Sequence, residues 1–232
     1  MSPPPSAEYV ELAEQAGSFI HELKNHINTL SLHVQLLAED LEVPETPRER
    51  RAVARVRLLH GECERLVALS QDYLRFTRVD TPTLVRTPLP DVVQRLVDFL
   101  HPTAKAQQID IVLHEAANLP PVQLDPEFFD RALLNLMLNA QEAMEHGGTL
   151  TLQARREADC VALDVIDTGC GIPPELVDRL FRPFFTTKPG GSGLGLAIAR
   201  KQILALGGTL TVQSQPECGS LFTITLPIAE EA

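Results

Sequence analysis

Residues 13–41 read AEQAGSFIHELKNHINTLSLHVQLLAEDL, and apolar side chains recur along this stretch at alternating steps of three and four residues. The recurring positions are Ala13, Ala16, Ile20, Leu23, Ile27, Leu30, Val34, Leu37 and Leu41. This heptad spacing predicts a long helix that packs along one stripe against other helices. Pro44 and Pro47 then interrupt the helix, because proline lacks the backbone donor that the next turn needs.

A second helical stripe follows the two prolines. Its apolar positions are Val56, Leu59, Cys63, Leu66 and Tyr73. Two long helices with a short connection predict an antiparallel hairpin. One hairpin cannot bury both stripes, whereas two hairpins can bury them in a four-helix bundle, so we expect a homodimer.

The pattern changes after the Pro- and Thr-containing run 81–90, which we interpret as a linker. Beyond it we predict helices at 91–107, 126–145 and 194–206, and strands at 109–115, 149–155, 161–167, 209–214 and 220–227. Asp125 before Pro126 is typical of a helix N-terminus. The chain is therefore expected to be α+β: a helical hairpin over residues 1–82, and over 83–232 an α/β sandwich with helices on one face of a mixed sheet.

Composition excludes several classes of protein. The net charge of −11 argues against a nucleic-acid binder, since such proteins hold phosphates with excess Lys and Arg. No stretch approaches the roughly 20 apolar residues that span a bilayer, and residues 1–8 lack the features of a signal peptide. We expect a cytoplasmic protein without a membrane segment. The four cysteines have no metal or disulfide spacing, which predicts reduced thiols without a role.

His21 is the first candidate for chemistry. It follows the stripe residue Ile20 and therefore lies on the flank of the stripe, where it can reach solvent. Glu22 could accept the second ring proton and make the imidazole more nucleophilic. Asn25, one turn further on the same face, could orient a water molecule. A solvated surface pair of His and Glu is the other interpretation of these residues.

Asn135 and Asn139 lie four residues apart in LLNLMLNA (133–140), so both amides are on one helix face. Amide oxygens are hard ligands that can complete the coordination of a phosphate-bound Mg²⁺. Asn is a poor helix former and the neighbouring residues are apolar, so we expect these amides to be half-buried. A plain solvent-facing pair is the alternative.

Two glycine-rich segments complete the candidates. In DTGCG (167–171), Asp167 follows a strand and could accept a hydrogen bond from an amine such as that of adenine. The glycines would let the backbone approach the base. An ordinary turn is the alternative interpretation of this segment.

The second segment, KPGGSGLGL (188–196), leads into a helix, where backbone N–H groups can bind an anion. Its spacing is neither that of a Walker loop nor that of a dinucleotide fingerprint. The preceding FRPFFTTK (181–188) suggests a lid, although core packing also explains its Phe residues.

Taken together, six motifs resemble the conserved boxes of bacterial sensor histidine kinases, and most closely those of the nitrogen-regulation-type subgroup. They are HELKN (21–25), NLMLNA (135–140), DTGCGI (167–172), FRPFFTTK (181–188), GSGLGLAIA (191–199) and GGTLTV (207–212). The resemblance implies a Bergerat-type ATP-binding sandwich, ATP and Mg²⁺ as ligands, and an Asp of a response regulator as the phosphoryl acceptor. The input would come from an upstream sensor domain or a partner protein.

The resemblance also implies roles for individual residues. His21 would be the phospho-acceptor, Glu22 its acid/base, and Asn25 the residue that orients water for dephosphorylation of the regulator. Asn139 would be the Mg²⁺ ligand with Asn135 in support, and Asp167 would bind the adenine amine with Gly169 and Gly171 lining the pocket. The lid and phosphate loop would consist of Lys188, Gly191, Gly193, Leu194 and Gly195.

One departure from the family keeps alternatives open. The family usually has Pro after the position of Asn25, where this chain has His26, and that Pro normally kinks the helix. A dimeric scaffold or phosphatase that binds nucleotide without autophosphorylation is therefore an alternative. A serine kinase or an ATPase of gyrase or mismatch-repair type is another, although the hairpin with HELKN argues against it.

Overall fold

The computed structural model describes residues 7–40, 46–77, 81–116, 118–188 and 191–229, with side chains from residue 23 onward except those of residues 40, 75 and 115. The chain divides into two compact units. The first consists of Met1–Asp80 with Thr186–Leu194, and the second of Thr81–Phe185 with Gly195–Ala232.

The helical part of the first unit is the predicted hairpin. Helix α1 covers Ala7–Asp40 and helix α2 covers Pro47–Thr77. Pro47 opens α2 instead of lying in the break, because the first helical position needs no intrahelical N–H. Thr46 and Glu49 form a capping box: the Glu49 N–H donates to Thr46 Oγ1 (3.2 Å), and the Thr46 N–H donates to Glu49 Oε2 (3.1 Å). Helix α1 passes through His26 without interruption.

The two apolar stripes are only partly covered within one chain. Ile27 and Val56 are buried, at 6% and 5% exposure. Five other residues of the stripes are 40–57% exposed: Leu23, Leu30, Leu37, Leu59 and Leu66. The hairpin thus buries one side of each stripe and leaves the other side open.

The second unit contains the elements that position the candidate nucleotide residues. In chain order these are β1 (Val85–Thr87), α3 (Leu89–Ala106), β2 (Ile109–Glu115), β3 (Val122–Leu124), α4 (Pro126–Ala143), β4 (Gly148–Arg156), β5 (Cys160–Asp167), α5 (Pro174–Val177), α6 (Gly195–Ala205), β6 (Thr209–Ser214) and β7 (Ser220–Pro227). Five strands form a sheet in the order β2-β4-β5-β7-β6, in which only the β2–β4 pair is parallel. The predicted mixed sheet is confirmed.

The core joins the helices to one face of this sheet. Helix α4 contributes Phe129, Leu133 and Met137, which are completely buried. Along β7 the even-numbered residues from 220 to 226 are buried and the odd-numbered ones are half-buried, as expected for a strand with one covered face. Burial of each large apolar side chain contributes about 1.5–3 kcal/mol.

Some elements were not predicted. Strands β1 and β3 pair antiparallel, with Val85 opposite Leu124, and β1 lies in the run 81–90 that was interpreted as a linker. Helix α3 begins at Leu89, two residues earlier than predicted, because Pro90 suits the first turn of a helix. Helix α4 ends at Ala143, two residues before the predicted end.

Candidate functional site

Asp167 lies at the end of β5 with only 4% of its surface exposed. Its Oδ1 atom accepts hydrogen bonds from the Gly169 N–H (2.8 Å) and from the Ser220 N–H (3.3 Å). A buried carboxylate needs such donors, because desolvation without compensation is costly. The two backbone groups hold the carboxylate in place at the point where the strand becomes the DTGCG loop.

The glycines of that loop allow the chain to pack against itself. A Cβ atom on Gly169 would lie 2.5 Å from the carbonyl oxygen of Ala143, at the end of α4. Gly171 has φ +67°, and a Cβ atom there would lie 1.9 Å from the carbonyl oxygen of Gln215, in the turn after β6. From the sequence, these glycines were expected to let the backbone approach a nucleotide base. The structure shows a second reason for them, because backbone segments pack closely against both positions.

Helix α4 places both candidate amides at the surface of the core. Asn135 and Asn139 are half-buried, as predicted. Gly195, the first residue of α6, lies beside the first of them: a Cβ atom on Gly195 would be 3.5 Å from Asn135 Oδ1. Apart from the two chain neighbours of Gly195 and the backbone of its own helix, the Asn135 side chain is the only described group within 4 Å of that position. An amide oxygen and the amino end of a helix therefore border the same open space.

The segment Thr186–Leu194 contains the remaining loop candidates. Thr186 Oγ1 accepts from the Lys188 N–H (3.1 Å), and the Gly191 N–H donates to the Lys188 carbonyl (3.2 Å). Ser192 Oγ accepts from the Leu194 N–H (3.3 Å), and Leu194 is buried. Gly193 has φ +65°, a conformation that L side chains rarely adopt. Lys188, Gly191, Gly193 and Leu194 thus belong to one locally hydrogen-bonded loop.

The candidate phospho-acceptor group is on α1. His21 and Glu22 lie within the helix, and their side chains are outside the part of the chain that the structure describes. Asn25 is exposed one turn further on, and its carbonyl accepts from Thr29 Oγ1 (3.0 Å).

Sequence reasoning missed several residues around the site. Ser220 positions Asp167 from 53 residues away, and no local pattern indicates that contact. The guanidinium of Arg179 lies 4.4 Å from the centroid of the Phe185 ring, and that of Arg200 lies 5.2 Å from the Phe181 centroid. Such cation–π contacts help to hold the phenylalanine motif in place. The sequence does show arginines on both sides of the phenylalanine motif, but their positions do not indicate which ring each arginine contacts.

A cavity of about 520 Å³ opens between α5 and the β6–β7 edge of the sheet. Its wall includes Pro174, Val177, Val212, Leu221 and Asp167. Of the predicted nucleotide residues it contains only Asp167, so this cavity is not the space between Asn135 and Gly195.

Comparison with known proteins relates this geometry to a family. Residues 124–230 match the family of histidine kinase-, DNA gyrase B- and HSP90-like ATPases. The alginate biosynthesis sensor protein KinB of Pseudomonas aeruginosa is 35% identical over 214 residues, which are 90% of this chain and 36% of KinB. Sensor histidine kinase ZraS of Salmonella typhi is 30% identical over 220 residues, 94% of this chain and 46% of ZraS.

A solved structure is also similar to this chain. Full-length ShkA in complex with AMPPNP superposes with a TM-score of 0.75 at 27% identity, covering 94% of this chain and 46% of ShkA. This chain therefore spans less than half the length of these relatives. None of the helices within the described residues combines the length and apolarity needed to cross a bilayer. Residues 124–230 therefore form a domain of the histidine kinase-, DNA gyrase B- and HSP90-like ATPase family, and the chain as a whole is similar to the catalytic core of sensor histidine kinases.

Proposed function

We propose that this chain transfers the γ-phosphoryl group of ATP to His21 and then to an Asp on the receiver domain of a response regulator. The observation that carries the proposal is the open space beside Gly195, bordered by the Asn135 amide and the start of α6, in a chain whose relatives are named sensor kinases. Phosphoryl transfer requires positioning and charge neutralisation more than covalent help from the protein.

We assign the Asp167 loop and the space beside Asn135 and Gly195 to one magnesium nucleotide. The Asp167 carboxylate, held by two backbone donors, accepts the exocyclic amine of adenine. Asn139, supported by Asn135 on the same half-buried face, offers the hard oxygen that Mg²⁺ prefers. Bound Mg²⁺ supplies neutralisation of the phosphate charge. In our proposal the N–H groups at Gly195 bind the phosphates, and Lys188, Gly191, Gly193 and Leu194 form the lid and phosphate loop.

The reacting group is on α1. In our proposal the His21 imidazole is the nucleophile, Glu22 accepts its second ring proton, and Asn25 orients water when the regulator is dephosphorylated. Residues 1–82 then form the dimerisation and phosphotransfer domain, and residues 83–232 form the catalytic domain. Helix α1 runs through His26 without interruption, so the kink site of the family is absent, and this is the reason for a second candidate function. That function is a dimeric scaffold or phosphatase that binds nucleotide without autophosphorylation.

The exposed stripes of the hairpin support a homodimer. Leu30 and Leu59 are 57% and 56% exposed, and each is part of a stripe with other exposed leucines. Exposed apolar stripes of this kind are typical of an interface, and in our proposal a second hairpin covers them in a four-helix bundle. We further propose that the protein works in the cytoplasm and receives its signal from an upstream sensor domain or partner protein. Membership of the nitrogen-regulation-type subgroup stays a prediction.

The test is incubation of the purified chain with γ-labelled ATP and Mg²⁺, alongside His21→Gln and Asn139→Ala. We expect acid-labile, alkali-stable label in the wild type and in neither variant. Label retained by His21→Gln contradicts the assignment of the acceptor, and an acid-stable product indicates a serine kinase instead. Nucleotide binding without any label favours the scaffold or phosphatase alternative.

A further inference from the structure

Two exposed cysteines lie on neighbouring loops of the second unit. Cys170 is in the DTGCG loop after β5, and Cys218 is in the turn between β6 and β7. They are 48 positions apart in the sequence, and nothing in their spacing links them. Cys63 and Cys160, the other two cysteines, are half-buried.

Backbone contacts hold these two loops together on both sides of Cys218. The Glu217 N–H donates to the carbonyl of Cys170 at 2.8 Å. On the other side, Gly219 lies so close to the loop that a Cβ atom there would be 2.0 Å from the carbonyl oxygen of Asp167. The Cys218 N–H donates to the Gln215 carbonyl at 3.1 Å, and this same carbonyl contacts Gly171. Cys218 therefore lies on a turn that is fastened to the segment containing Cys170.

This arrangement suits a disulfide. Facing residues on adjacent antiparallel segments have Cα atoms about 5 Å apart, and each further residue adds about 3.4 Å along the segment. The Glu217 N–H donates to the Cys170 carbonyl, and Cys218 is the next residue along the chain, so the Cα atoms of Cys170 and Cys218 lie within about 9 Å of each other. The range of about 4.4–6.8 Å that disulfides span falls inside this limit.

The direction of the side chains is also compatible. In a regular strand pair these two side chains would point to opposite faces of the sheet. Here Glu217 and Gly219, on either side of Cys218, have φ +61° and +81°, and Gly171 has φ +67°. Regular alternation does not hold at such positions, and both cysteines are exposed, so their side chains can exchange between rotamers.

We propose that Cys170 and Cys218 are an oxidative modification site, at which a peroxide converts the two thiols into a disulfide between the DTGCG loop and the β6–β7 turn. One thiol loses its proton and the thiolate attacks a peroxide oxygen, so that the O–O bond breaks and a sulfenic acid forms. The hydroxide that leaves takes up the proton from the thiol and becomes water. The second thiol then attacks that sulfur, the S–S bond forms, and the oxygen leaves as a second water. A thiol reductant reverses the change.

The bridge fixes the loop that carries Asp167. It closes a ring of about 50 residues, which lowers the entropy of the unfolded chain, and we expect the melting temperature of the oxidised protein to rise by on the order of 10 °C. This effect requires neither nucleotide nor phosphoryl transfer, so it is separable from the proposed kinase activity.

The experiment treats the full chain with hydrogen peroxide at equimolar and tenfold excess, blocks free thiols, and maps cross-linked peptides by mass spectrometry. We expect one peptide pair that joins Cys170 to Cys218, loss of two hydrogens in intact mass, and a raised melting temperature that dithiothreitol restores. Cys170→Ser and Cys218→Ser should each abolish the pair, whereas Cys63→Ser with Cys160→Ser should retain it.

Three results would overturn the proposal. They are sulfinic or sulfonic acid at either cysteine without a cross-link, disulfides only between molecules, and a cross-link that persists in one of the two single variants. The mapping is independent of label on His21, so a protein that forms the bridge but fails the kinase test leaves this inference standing.

Discussion

Gly171→Ala tests the conclusion that the glycines of the DTGCG loop are required for packing. An alanine at φ +67° costs about 1–2 kcal/mol, because its Cβ atom crowds the backbone in the left-handed region. That Cβ atom would also lie 1.9 Å from the Gln215 carbonyl oxygen and 3.2 Å from the Pro216 Cα atom. Both neighbours are backbone atoms, so the turn itself has to move.

The movement strains the hydrogen bond from the Glu217 N–H to the Cys170 carbonyl, which lies in the same turn. Loss of one such bond costs about 0.5–1.5 kcal/mol. The cost of the left-handed conformation and the cost of the lost hydrogen bond together should lower the free energy of unfolding by about 2–4 kcal/mol. For a domain of this size, such a change lowers the melting temperature by about 10 °C.

The assay is thermal unfolding of the full chain followed by circular dichroism, without nucleotide. The matched control is Gly195→Ala, whose Cβ atom would be 3.5 Å from Asn135 Oδ1, an ordinary contact distance. We expect this control to melt at or slightly above the wild-type temperature, since alanine is the better helix former. If Gly171→Ala melts within about 2 °C of wild type, less than the shift for 1 kcal/mol, the packing argument is wrong.

Three further outcomes are expected. Gly195→Ala should weaken binding of a fluorescent ATP analogue at least about tenfold without loss of stability, because the added methyl group enters the space beside Asn135. An unchanged affinity would show that the phosphates do not bind in that space. Asp125→Ala should lower the free energy of unfolding, measured in urea, by about 2 kcal/mol, since this side chain caps α4 and accepts from the Thr83 N–H at 2.8 Å. Asp125→Asn keeps a hydrogen-bond acceptor and should retain most of the wild-type stability. Burial first, and then the hydrogen bond and charge of Glu157, raise the pKa of the Cys160 thiol. Its thiolate fraction at pH 7–8 is therefore lower, and iodoacetamide should alkylate it more slowly than the exposed cysteines; equal rates would contradict the assignment.

Local patterns in the sequence determined most of the elements. The strands at 209–214 and 220–227 were predicted with the bounds that the structure has, because alternation with a period of two is visible in the chain itself. Asp125 was predicted to cap α4, and its side chain accepts from the N–H groups of Glu127 and Phe128. The half-burial of Asn135 and Asn139 was also predicted, because Asn is a poor helix former and the neighbouring residues in this helix are apolar.

Contacts between distant segments were settled only by the tertiary structure. Sequence periodicity does not specify which strands are neighbours, so it could not show that β5 pairs with β7 and thereby places the Ser220 N–H on Asp167. The same pairing brings the turn with Cys218 against the loop with Cys170, two residues that the sequence left unconnected. Glycine is recognisable in a sequence, but the atom that excludes its Cβ is not. For Gly171 that atom belongs to Gln215, which lies 44 residues away and reaches it only after the sheet has formed.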